Sequence, residues 1–583
     1  MKNYSFAGLL VAVGCLASCG GPFGDAPGSS GSGSSDGGSG QTNGGTGDAD
    51  SGGGSGKLDG GNVDPGPTFS FVQPQNLWVY VQQGQPASVT INITRGLTPG
   101  TDITIRATSQ PDGVTVDSLT ILSGSSTGQL TVKVGASVPQ GEVTVKLQGL
   151  AEGATVTVPM DLQLFVISGK PGTLDTSFAS GGIYEDTTVD YYSVNAATPP
   201  QSDGKILVGA ATIYDSLNYS YASAVIRLNT DGAIDSTLSD PAIKSINGGL
   251  FGVAAYPDGR IVTIENTGAI DSIKRYKANG AFDTTLFATT NSSLPNNWTS
   301  FYLYAIAVGP DDSIYAGGWA SIPSSSSAEP YALIQIPANG QGSMPICSGF
   351  GDTNHRQVIN NLSLLPTGAL AFAGPSYSLT AGESIRVGRY PHPPSCDLDP
   401  NYGNNDENKG IWYSTDWQFF ADAFFETDGS VDLLAGQSGT STYSLVRIDN
   451  TGSPAAPVSL PVVCSYCNVY ENSSFHDGGN GGITRAPDGR YLVAGQYKDQ
   501  ATGNTSMVVA YYNSDLTPDM TMGNQGVVTI PIPISTPLAS PILGGLRAVY
   551  TPDGSLTVVV GRISGKNAAG TAVQHLVVAR IWN

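Results

Sequence analysis

Cysteine has the most distinctive spacing among the reactive residue types of this chain. Two of the six cysteines form the motif Cys464-Ser-Tyr-Cys467, whose spacing matches that of redox-active dithiols. Such motifs need a helix N-terminus that lowers the thiol pKa, and the flanking sequence indicates no helix. We therefore expect a local disulfide in a long loop, with a metal site and a redox site as less favoured alternatives.

Oxygen-bearing side chains are concentrated between residues 397 and 407. Asp397, Asp399, Asn401 and Asp406 supply the carboxylate and amide oxygens that Ca²⁺ prefers. Gly403 is one place late for the EF-hand pattern, and no glutamate occupies the twelfth position. We predict no cofactor, with Ca²⁺ at these four residues as the alternative.

Aromatic residues and histidine offer two further candidate sites. Trp412, Tyr413 and Trp417 could form a stacking platform for sugar rings, or they could cap a hydrophobic core. His476, one of four histidines, could act as a ligand or a base, although a lone histidine in an exposed loop is commoner. The chain has no Gly-x-Ser-x-Gly elbow, no His-Glu-x-x-His motif and no sialidase-type box, so we predict no catalytic residue.

The composition favours strands and turns over helices. Glycine (76) and proline (37) are abundant, and only 13% of the 583 residues are charged. A chain of this length predicts two or more folded units. The net charge of −21 argues against duplex nucleic acid and anionic lipid surfaces as partners, because both need clustered Lys and Arg. We expect an acidic monomer.

The N-terminus carries the signals of export. Lys2 supplies a positive charge, and residues 6–16 form an apolar run too short to span a bilayer as a mature helix. The sequence Leu16-Ala-Ser-Cys19 follows, and residues 1–18 resemble a bacterial lipoprotein signal peptide with its lipobox. The resemblance implies cleavage before Cys19, lipidation of its thiol, and, with Gly20 next, the outer membrane or cell surface. The alternative is an ordinary secretory signal with an incidental cysteine.

Residues 19–67 consist almost only of Gly, Ser, Asp, Thr and Asn after the cysteine. Such a segment buries too little apolar surface to offset the entropy cost of ordering. We predict a flexible tether with a root-mean-square reach of about 40 Å, which would hold the folded part clear of the membrane.

Residues 68–168 contain short alternating runs separated by turn residues such as Pro111-Asp-Gly113. About seven such runs in about 100 residues are typical of a Greek-key β-sandwich. The stretch resembles the immunoglobulin-like spacer domains of bacterial surface proteins, although it lacks the Cys, Trp, Cys core signature. The resemblance implies a spacer, with an independent binding domain as the alternative.

A repeat begins after Gly169. In each copy an apolar strand leads into a tight turn, and second and third strands follow. The seven turns are Ser202-Asp-Gly204, Pro257-Asp-Gly259, Pro310-Asp-Asp312, Pro366-Thr-Gly368, Thr427-Asp-Gly429, Pro487-Asp-Gly489 and Pro552-Asp-Gly554. A fourth segment, such as Ala233 to Leu238, completes most copies. Four strands per repeat predict a propeller blade, so we expect a seven-bladed β-propeller at residues 169–583.

Two motifs of this array carry a family resemblance. Pro257-Asp-Gly-Arg-Ile261 and Leu174-Asp-Thr-Ser-Phe178 resemble the delta-60 repeat, a propeller-type repeat of bacterial secreted and surface proteins. The resemblance covers about residues 172–583 and implies no particular activity.

The ends of the array predict how the ring closes. Leu174 to Tyr184 reads as a fourth strand with no repeat before it, and Leu576 to Ile581 as a third strand with none after it. Pairing of the two segments would complete the last blade and remove exposed strand edges.

Strand order predicts two unlike faces. The tight turns lie on one face, and the long connections lie on the opposite one, which we expect to be the functional surface because binding sites concentrate in irregular loops. The long connections are Ile213 to Tyr221, Ala288 to Ser300, Trp319 to Pro330, Gly403 to Asp416, Cys464 to Gly482, Gln496 to Ser506 and Pro531 to Gly544.

Two further residue types recur at equivalent repeat positions. Cys347 and Cys396 follow the third strands of consecutive repeats, which suits a disulfide between blades. An arginine of the third strand could converge with its equivalents on an anionic ligand, but we expect it to pair with acids or carbonyls of a neighbouring blade. The residues are Arg227, Arg275, Arg389, Arg447 and Arg580, with Gln335 and Tyr511 in the other two repeats.

We thus predict an all-β fold, an immunoglobulin-like sandwich followed by a propeller, in a membrane-anchored surface lipoprotein. The expected function is binding of a protein or a glycan without catalysis. The alternative is an exported hydrolase, lactonase or lyase with a site on the loop face or in the central channel.

Overall fold

The computed structural model describes residues 12–13, 69–72, 78–96, 100–155, 157–191, 193–198, 201, 203–215, 220–266, 271–288, 300–321, 330–338, 340, 346–348, 355–378, 382–391, 393, 395–403, 410–417, 419–437, 443–460, 482–498, 505–531, 539–551 and 553–583. Regular structure in these ranges is nearly all β-strand, and the helix α1 (Pro241–Lys244) has four residues. The predicted all-β class is confirmed. The predicted tether lies outside the described residues.

Two sheets form the first folded unit, called here the sandwich (residues 69–167). One sheet has the order β2 (Phe69–Val72), β4 (Pro86–Arg95), β8 (Thr127–Val134), β6 (Val114–Val116). The other has the order β3 (Val79–Gln82), β10 (Thr157–Ile167), β9 (Gly141–Ala151), β5 (Ile103–Ser109), β7 (Leu119–Ile121). Alternate side chains of both sheets, such as Ile91, Leu130, Ile105 and Leu162, are buried in one shared core. This follows from the period of two residues in a strand, which sends every second side chain to the same face.

Seven sheets follow the sandwich. Sheet 1 contains β12 (Ser193–Ala197), β13 (Ile206–Asp215), β14 (Ser220–Leu228) and β15 (Ile246–Asn247), and sheet 2 contains β16 (Gly249–Ala255), β17 (Ile261–Asn266), β18 (Asp271–Tyr276) and β19 (Phe282–Ala288). Sheet 3 contains β20 (Ser300–Val308), β21 (Ile314–Ser321), β22 (Tyr331–Ile336) and β23 (Ile346–Ser348), and sheet 4 contains β24 (His355–Gln357), β25 (Asn361–Leu364), β26 (Leu370–Ser378), β27 (Gly382–Tyr390) and β28 (Ile411–Ser414).

Sheet 5 contains β29 (Phe419–Phe425), β30 (Val431–Gly436), β31 (Tyr443–Ile448) and β32 (Val458–Ser459); sheet 6 contains β33 (Gly482–Arg485), β34 (Tyr491–Lys498), β35 (Thr505–Tyr512) and β36 (Val527–Pro531); and sheet 7 contains β11 (Ile183–Asp186), β37 (Ala539–Tyr550), β38 (Leu556–Lys566) and β39 (Ala572–Trp582). A two-residue strand, β1 (Ala12–Val13), pairs in parallel with β25.

The seven sheets are arranged in a ring. The first strand of each sheet contacts the first strand of the next, from β12 through β16, β20, β25, β29 and β33 to β37, and β37 contacts β12 in turn. The interfaces between sheets are apolar: Ile264 and Ile306 belong to one buried cluster, and Val194 and Val558 to another. A single four-stranded sheet cannot cover both of its faces, so each sheet is stable only between two neighbours.

The predicted pairing at the ends of the array is present, but the predicted strand from Leu174 to Tyr184 was too long, because residues 176–179 form a turn and the strand begins at Ile183. β11 pairs antiparallel with β39, with Ile183 opposite Ala579 and Asp186 opposite Leu576, and Leu174 forms a bridge to Ile581. Sheet 7 therefore contains three strands from the C-terminal end and one from the start of the array.

One predicted strand differs from the structure. The segment Ala233 to Leu238 is a turn region with a single bridge at Ile234, and the fourth strand of sheet 1 is β15, which follows α1. The reason is Asp235, whose Oδ1 accepts hydrogen bonds from the backbone N–H and the hydroxyl of Thr237, 2.9 and 2.6 Å away. Such a local side-chain bond stabilises a turn in competition with a strand.

Candidate functional site

The ring has a turn face, defined by the seven connections between first and second strands. In the connection of sheet 2, the Gly259 N–H donates to the Tyr256 carbonyl at 3.0 Å, and the Tyr256 N–H donates to the Arg260 carbonyl at 2.9 Å. The matching bonds of sheet 6 join Gly489 to Ala486 and Ala486 to Arg490. A φ of +87° at Gly259 explains the glycine, because other residues are strained in this region. The tight turns are therefore structural features.

The sandwich packs on the turn face at sheets 6 and 7. Trp78, Phe165 and Trp582 form an apolar cluster between the two units, with ring centroids of Trp78 and Phe165 4.9 Å apart. The Tyr80 hydroxyl donates a hydrogen bond of 2.9 Å to the Gly554 carbonyl of the last tight turn. The sandwich thus covers part of the turn face. Its side chains contact the ring directly, in addition to the covalent connection of the chain.

Arg490 lies at the centre of this contact. Its guanidinium carbon is 4.2 Å from the centroid of the Tyr80 ring, and its Nε donates to Asp488 at 2.6 Å. A second carboxylate, that of Asp519, is 3.3 Å from its Nη1. Burial raises the pKa of the Tyr80 hydroxyl, and the adjacent Arg490 charge opposes that shift. The neutral phenol is therefore the form that donates to Gly554.

The opposite face is called the loop face, and six of the seven predicted long connections begin there. The seventh was predicted wrongly, because Gly403, where it begins, donates its N–H to the Thr451 carbonyl in the turn after β31, at the turn-face end. Most residues of the seven predicted connections lie outside the described residues, as do His476, Asp406, and the Cys464 and Cys467 pair. The predicted disulfide or metal site at that pair therefore stays a prediction, as does lipidation of Cys19.

The predicted aromatic platform lies on β28, the outer strand of sheet 4, and just beyond it. Trp412 and Trp417 are buried in a cluster with Tyr402 and neighbouring aliphatic residues. Tyr413 is half-buried, and its ring is 5.1 Å from the guanidinium carbon of Arg386. The two tryptophans are thus placed as the core-capping alternative requires, which leaves Tyr413 as the accessible ring of the three.

Three of the four predicted calcium ligands, Asp397, Asp399 and Asn401, lie within the described residues. The Asp399 carboxylate is held by Arg389, whose Nε is 2.9 Å from Oδ2, while Asp397 is exposed and accepts a bond from Ser395. The other Asp399 oxygen accepts the Asn401 N–H at 2.9 Å. Asp406 lies outside the described residues, so Ca²⁺ at this stretch stays a prediction.

The recurring arginines pair with acids. In sheet 1, Arg227 donates to Asp235 at 2.6 Å and to the Ala278 carbonyl in the turn of sheet 2 at 2.7 Å. In sheet 2, Arg275 repeats this arrangement with Asp283. The acid belongs to the same sheet, and the carbonyl belongs to the next one. Arg227, Arg275 and Arg580 each bond a carbonyl of the next sheet in this way, so they tie neighbouring sheets together and do not point at a shared ligand.

Sheets 5 and 6 depart from this arrangement. Arg447 donates to Asp432 at 2.8 Å, because the fourth segment of its sheet has no aspartate at the equivalent position. In sheet 6 the arginine is replaced by Tyr511, so Asp519 pairs with Arg490 of the tight turn.

The predicted disulfide between repeats is present. Cys347 of β23 and Cys396, which follows β27, are joined with their Cα atoms 5.2 Å apart. The bond links the outer strand of sheet 3 to sheet 4, so it fastens two neighbouring sheets at the rim of the ring.

A buried polar network lies on the first strands, and the sequence did not reveal it. Asp422 accepts bonds from the Asn361 side chain at 2.7 Å and the Ile483 N–H at 2.9 Å, and Arg547 lies 3.6 Å from its Oδ2. A side chain at Gly482 would lie 3.0 Å from the Arg547 guanidinium, so the glycine leaves room for this contact. Burial lowers the pKa of Arg547, and the Asp422 charge opposes that shift. The network joins sheets 4 to 7, and the only trace in the sequence is the glycine.

A second group missed by sequence reasoning lies at the seam of the ring. His575 Nδ1 is 2.7 Å from the Glu185 carboxylate, and both side chains are largely buried. Nearby, Asp186 accepts a hydrogen bond of 2.5 Å from the Tyr191 hydroxyl. Hydrogen bonds to Asp186 outweigh its burial and lower its pKa. These contacts fix the closing strand at its loop-face end.

No group of three His, Cys, Asp or Glu within the described ranges is placed to hold a metal ion. In the same part of the chain, no helix has the length and apolar character required to span a bilayer.

Two segments of the chain, residues 201–238 and 486–521, match the family model described as Domain of unknown function (DUF5122) beta-propeller. The chain contains a β-propeller. Both segments contain a tight turn and a third strand, in sheets 1 and 6 respectively. The matched segments belong to the ring of sheets. No curated protein sequence matches the chain.

Solved structures show only distant similarity. A protein of unknown function from Dyadobacter fermentans has 13% identity and a TM-score of 0.33, over 69% of this chain and all of that one. An endo-arabinase from Bacteroides thetaiotaomicron has 11% identity and a TM-score of 0.28, over 57% and 93%. Prolyl oligopeptidase B from Galerina marginata has 7% identity and a TM-score of 0.33, over 72% and 54%. Similarities of this degree carry no functional inference.

Proposed function

We propose that this chain is a bacterial surface lipoprotein whose propeller binds a protein or a glycan through its loop face. The observation that carries the proposal is the position of the sandwich. It packs on the turn face through Tyr80 and Trp78, which supports an anchor on that side of the ring and a binding surface on the other. The loop face is then the side directed away from the membrane.

The architecture we propose is an immunoglobulin-like sandwich and a seven-bladed propeller with delta-60-type repeats. The closed ring of seven sheets and the pairing of β11 with β39 support the blade number. The two-sheet core of residues 69–167 supports the sandwich. Because the sandwich is docked, it acts as a fixed mount that orients the propeller.

The anchor is proposed from the sequence Leu16-Ala-Ser-Cys19. Several acyl chains at Cys19 would retain the protein stably at the membrane, where a single chain would not. Membrane and soluble fractions of cells that express the native chain and Cys19→Ala test this step. The native chain is expected in the membrane fraction and the variant in the soluble one, and an unchanged distribution contradicts the anchor.

Binding is tested by screening the soluble chain that starts at Gly20 against glycan and surface-protein arrays. A ligand whose binding weakens on Tyr413→Ala supports a site at the aromatic platform, because Tyr413 is its half-buried ring and β28 runs from the turn-face end of sheet 4 toward the loop face. The matched control is Lys205→Ala in a tight turn of the other face, which is expected to leave binding unchanged. Absence of binding together with hydrolysis of a model ester or glycoside would favour the enzymatic alternative.

A further inference from the structure

The turn that carries Arg490 has one close counterpart in the ring. The sequence Pro-Asp-Gly-Arg occurs at residues 257–260 in sheet 2 and at residues 487–490 in sheet 6. The local geometry is the same in both: the arginine N–H bonds Asp Oδ1, at 3.0 Å for Arg260 and 3.1 Å for Arg490, and Nε bonds Oδ2 at 2.6 Å. The two arginines are therefore held in equivalent orientations on the turn face.

The next sheet completes the equivalence. Beside Arg490 lies Gly554 of sheet 7, with φ of +70°, whose carbonyl receives the Tyr80 hydroxyl. The matching residue beside Arg260 is Asp312 of sheet 3, which adopts φ of +65° although it is not a glycine. Its backbone is thus folded like that of the residue that binds Tyr80, and its carboxylate accepts a bond from Arg260.

The two sites differ in what covers them. Arg490 has two aromatic neighbours, Tyr80 of the sandwich at 4.2 Å and Tyr511 of its own sheet at 5.9 Å, and its side chain is 2% exposed. Arg260 has its own ring, Tyr256, at 4.4 Å, and its side chain is 26% exposed. Both arginines thus have a ring of their own sheet beside them, but from different repeat positions, since Tyr256 corresponds to Ala486 and Tyr511 to Arg275. Arg490 has the sandwich ring of Tyr80 in addition.

The surroundings of Arg260 also suit a protein contact. Phe282 of the same sheet is 48% exposed. It lies opposite Tyr276, which in turn lies opposite Ile261, the residue after Arg260. Ile234 of sheet 1 is exposed as well. Its neighbour Asp235 pairs with Arg227, and Arg227 also donates to the Ala278 carbonyl in the turn before Phe282. Phe282 and Ile234 thus place exposed apolar side chains on neighbouring turns of sheets 2 and 1, comparable to the apolar residues Trp78 and Trp582 that accompany Arg490.

We propose that the turn face of sheets 2 and 3 is a docking site for an extended protein segment that carries a tyrosine. The ring of that tyrosine stacks on Arg260, as Tyr80 stacks on Arg490. Its hydroxyl donates to the Asp312 carbonyl, as the Tyr80 hydroxyl donates to Gly554. The occupant is a strand of a second β-rich protein domain, because the occupant of the equivalent site is the strand β3.

The test uses the soluble full chain from Gly20 and the capped peptide Leu-Trp-Val-Tyr-Val-Gln, which has the sequence of residues 77–82. Saturation-transfer NMR detects contact with the tyrosine ring protons, and a titration gives the Kd. Replacement of Arg260 by alanine is expected to weaken binding about two- to tenfold, the range expected for loss of a cation–π contact. A peptide with alanine in place of tyrosine is expected to lose the contact.

Two matched variants complete the test. Lys205→Ala removes the basic residue at the equivalent position of sheet 1 and is expected to leave the Kd unchanged. Tyr80→Ala vacates Arg490 and is expected to add a second binding event; should this variant not fold, the Arg260 and Lys205 variants still decide. The proposal is overturned if the peptide does not bind, if Arg260→Ala binds like the native chain, or if the site takes oligosaccharides in preference to the peptide.

Discussion

Replacement of Asp175 by alanine tests how the ring is held closed. The Asp175 carboxylate is buried, and it accepts the Arg580 Nε at 2.8 Å and the Ser177 N–H at 3.1 Å. Arg580 also donates to the Thr230 carbonyl in the turn of sheet 1, so it joins the closing segment, the last strand and the next sheet. Loss of the aspartate leaves a buried guanidinium without its counter-charge. We expect the free energy of unfolding to fall by about 3–5 kcal/mol.

The chain supplies its own control for this experiment. Asp283 pairs with Arg275 at the equivalent position of sheet 2, at 2.6 Å, with side chains 28% and 18% exposed. Water can solvate Arg275 when Asp283 is replaced by alanine, so we expect a loss of about 1 kcal/mol. Asp283 also lies in a sheet whose four strands are contiguous in sequence, so the variant leaves the seam intact.

The assay combines urea denaturation with hydrogen exchange at equilibrium. Faster exchange confined to the amides of β11 and β39 is expected in Asp175→Ala and not in Asp283→Ala, because only the first variant weakens the seam. Equal losses of stability in the two variants, or unchanged exchange at the seam, would refute the assignment of Asp175 and Arg580 to closure.

Three further predictions concern the docked sandwich, the disulfide and a buried acid. Tyr80→Ala should lower the free energy of unfolding by about 3 kcal/mol and divide the single thermal transition of the native chain into two. A single transition of this variant in calorimetry would contradict tight docking. Replacing Cys347 and Cys396 by serine should cost about 4 kcal/mol in the chain-entropy model, given their separation of 49 residues, and an unchanged urea midpoint would contradict it. Burial raises the pKa of Asp271, which accepts the Leu303 N–H, to about 7. Above pH about 4 the folded state then binds more protons than the unfolded one. The free energy of unfolding should therefore fall by up to about 4 kcal/mol as pH rises to about 7 and level off above it. Asp271→Asn should abolish this pH dependence in a series of denaturation curves from pH 4.5 to 8.

The sequence predicted the parts of the fold that depend on local chemistry. Tight turns with glycine at positive φ, such as Gly259, and alternating strands are set by neighbouring residues, and the repeat multiplies the signal. The pairing of Leu174 with Ile581 was predictable because an unpaired strand at each end of an array leaves two exposed edges. The segment at Asp235 was predicted as a strand because its turn depends on a side-chain bond, which periodicity does not reveal.

Long-range contacts were beyond the reach of sequence reasoning. The Tyr80 hydroxyl meets Gly554 across 474 positions of the chain, and the contact depends on how two folded units dock. Arg547 reaches Asp422 past Gly482, and the three residues lie on sheets 7, 5 and 6. One signal was available: Tyr511 replaces the recurring arginine in sheet 6, which leaves Asp519 for another cation, and Arg490 takes that role.

The most direct test of the account is to locate where a ligand binds on the propeller. The soluble chain from Gly20 is screened on glycan and surface-protein arrays, and the Kd of any ligand is measured for Tyr413→Ala and Lys205→Ala. Weaker binding is expected for Tyr413→Ala and an unchanged Kd for Lys205→Ala, whose residue lies beside a tight turn of the turn face. The reverse order, or no ligand but turnover of a model ester or glycoside, would contradict the account.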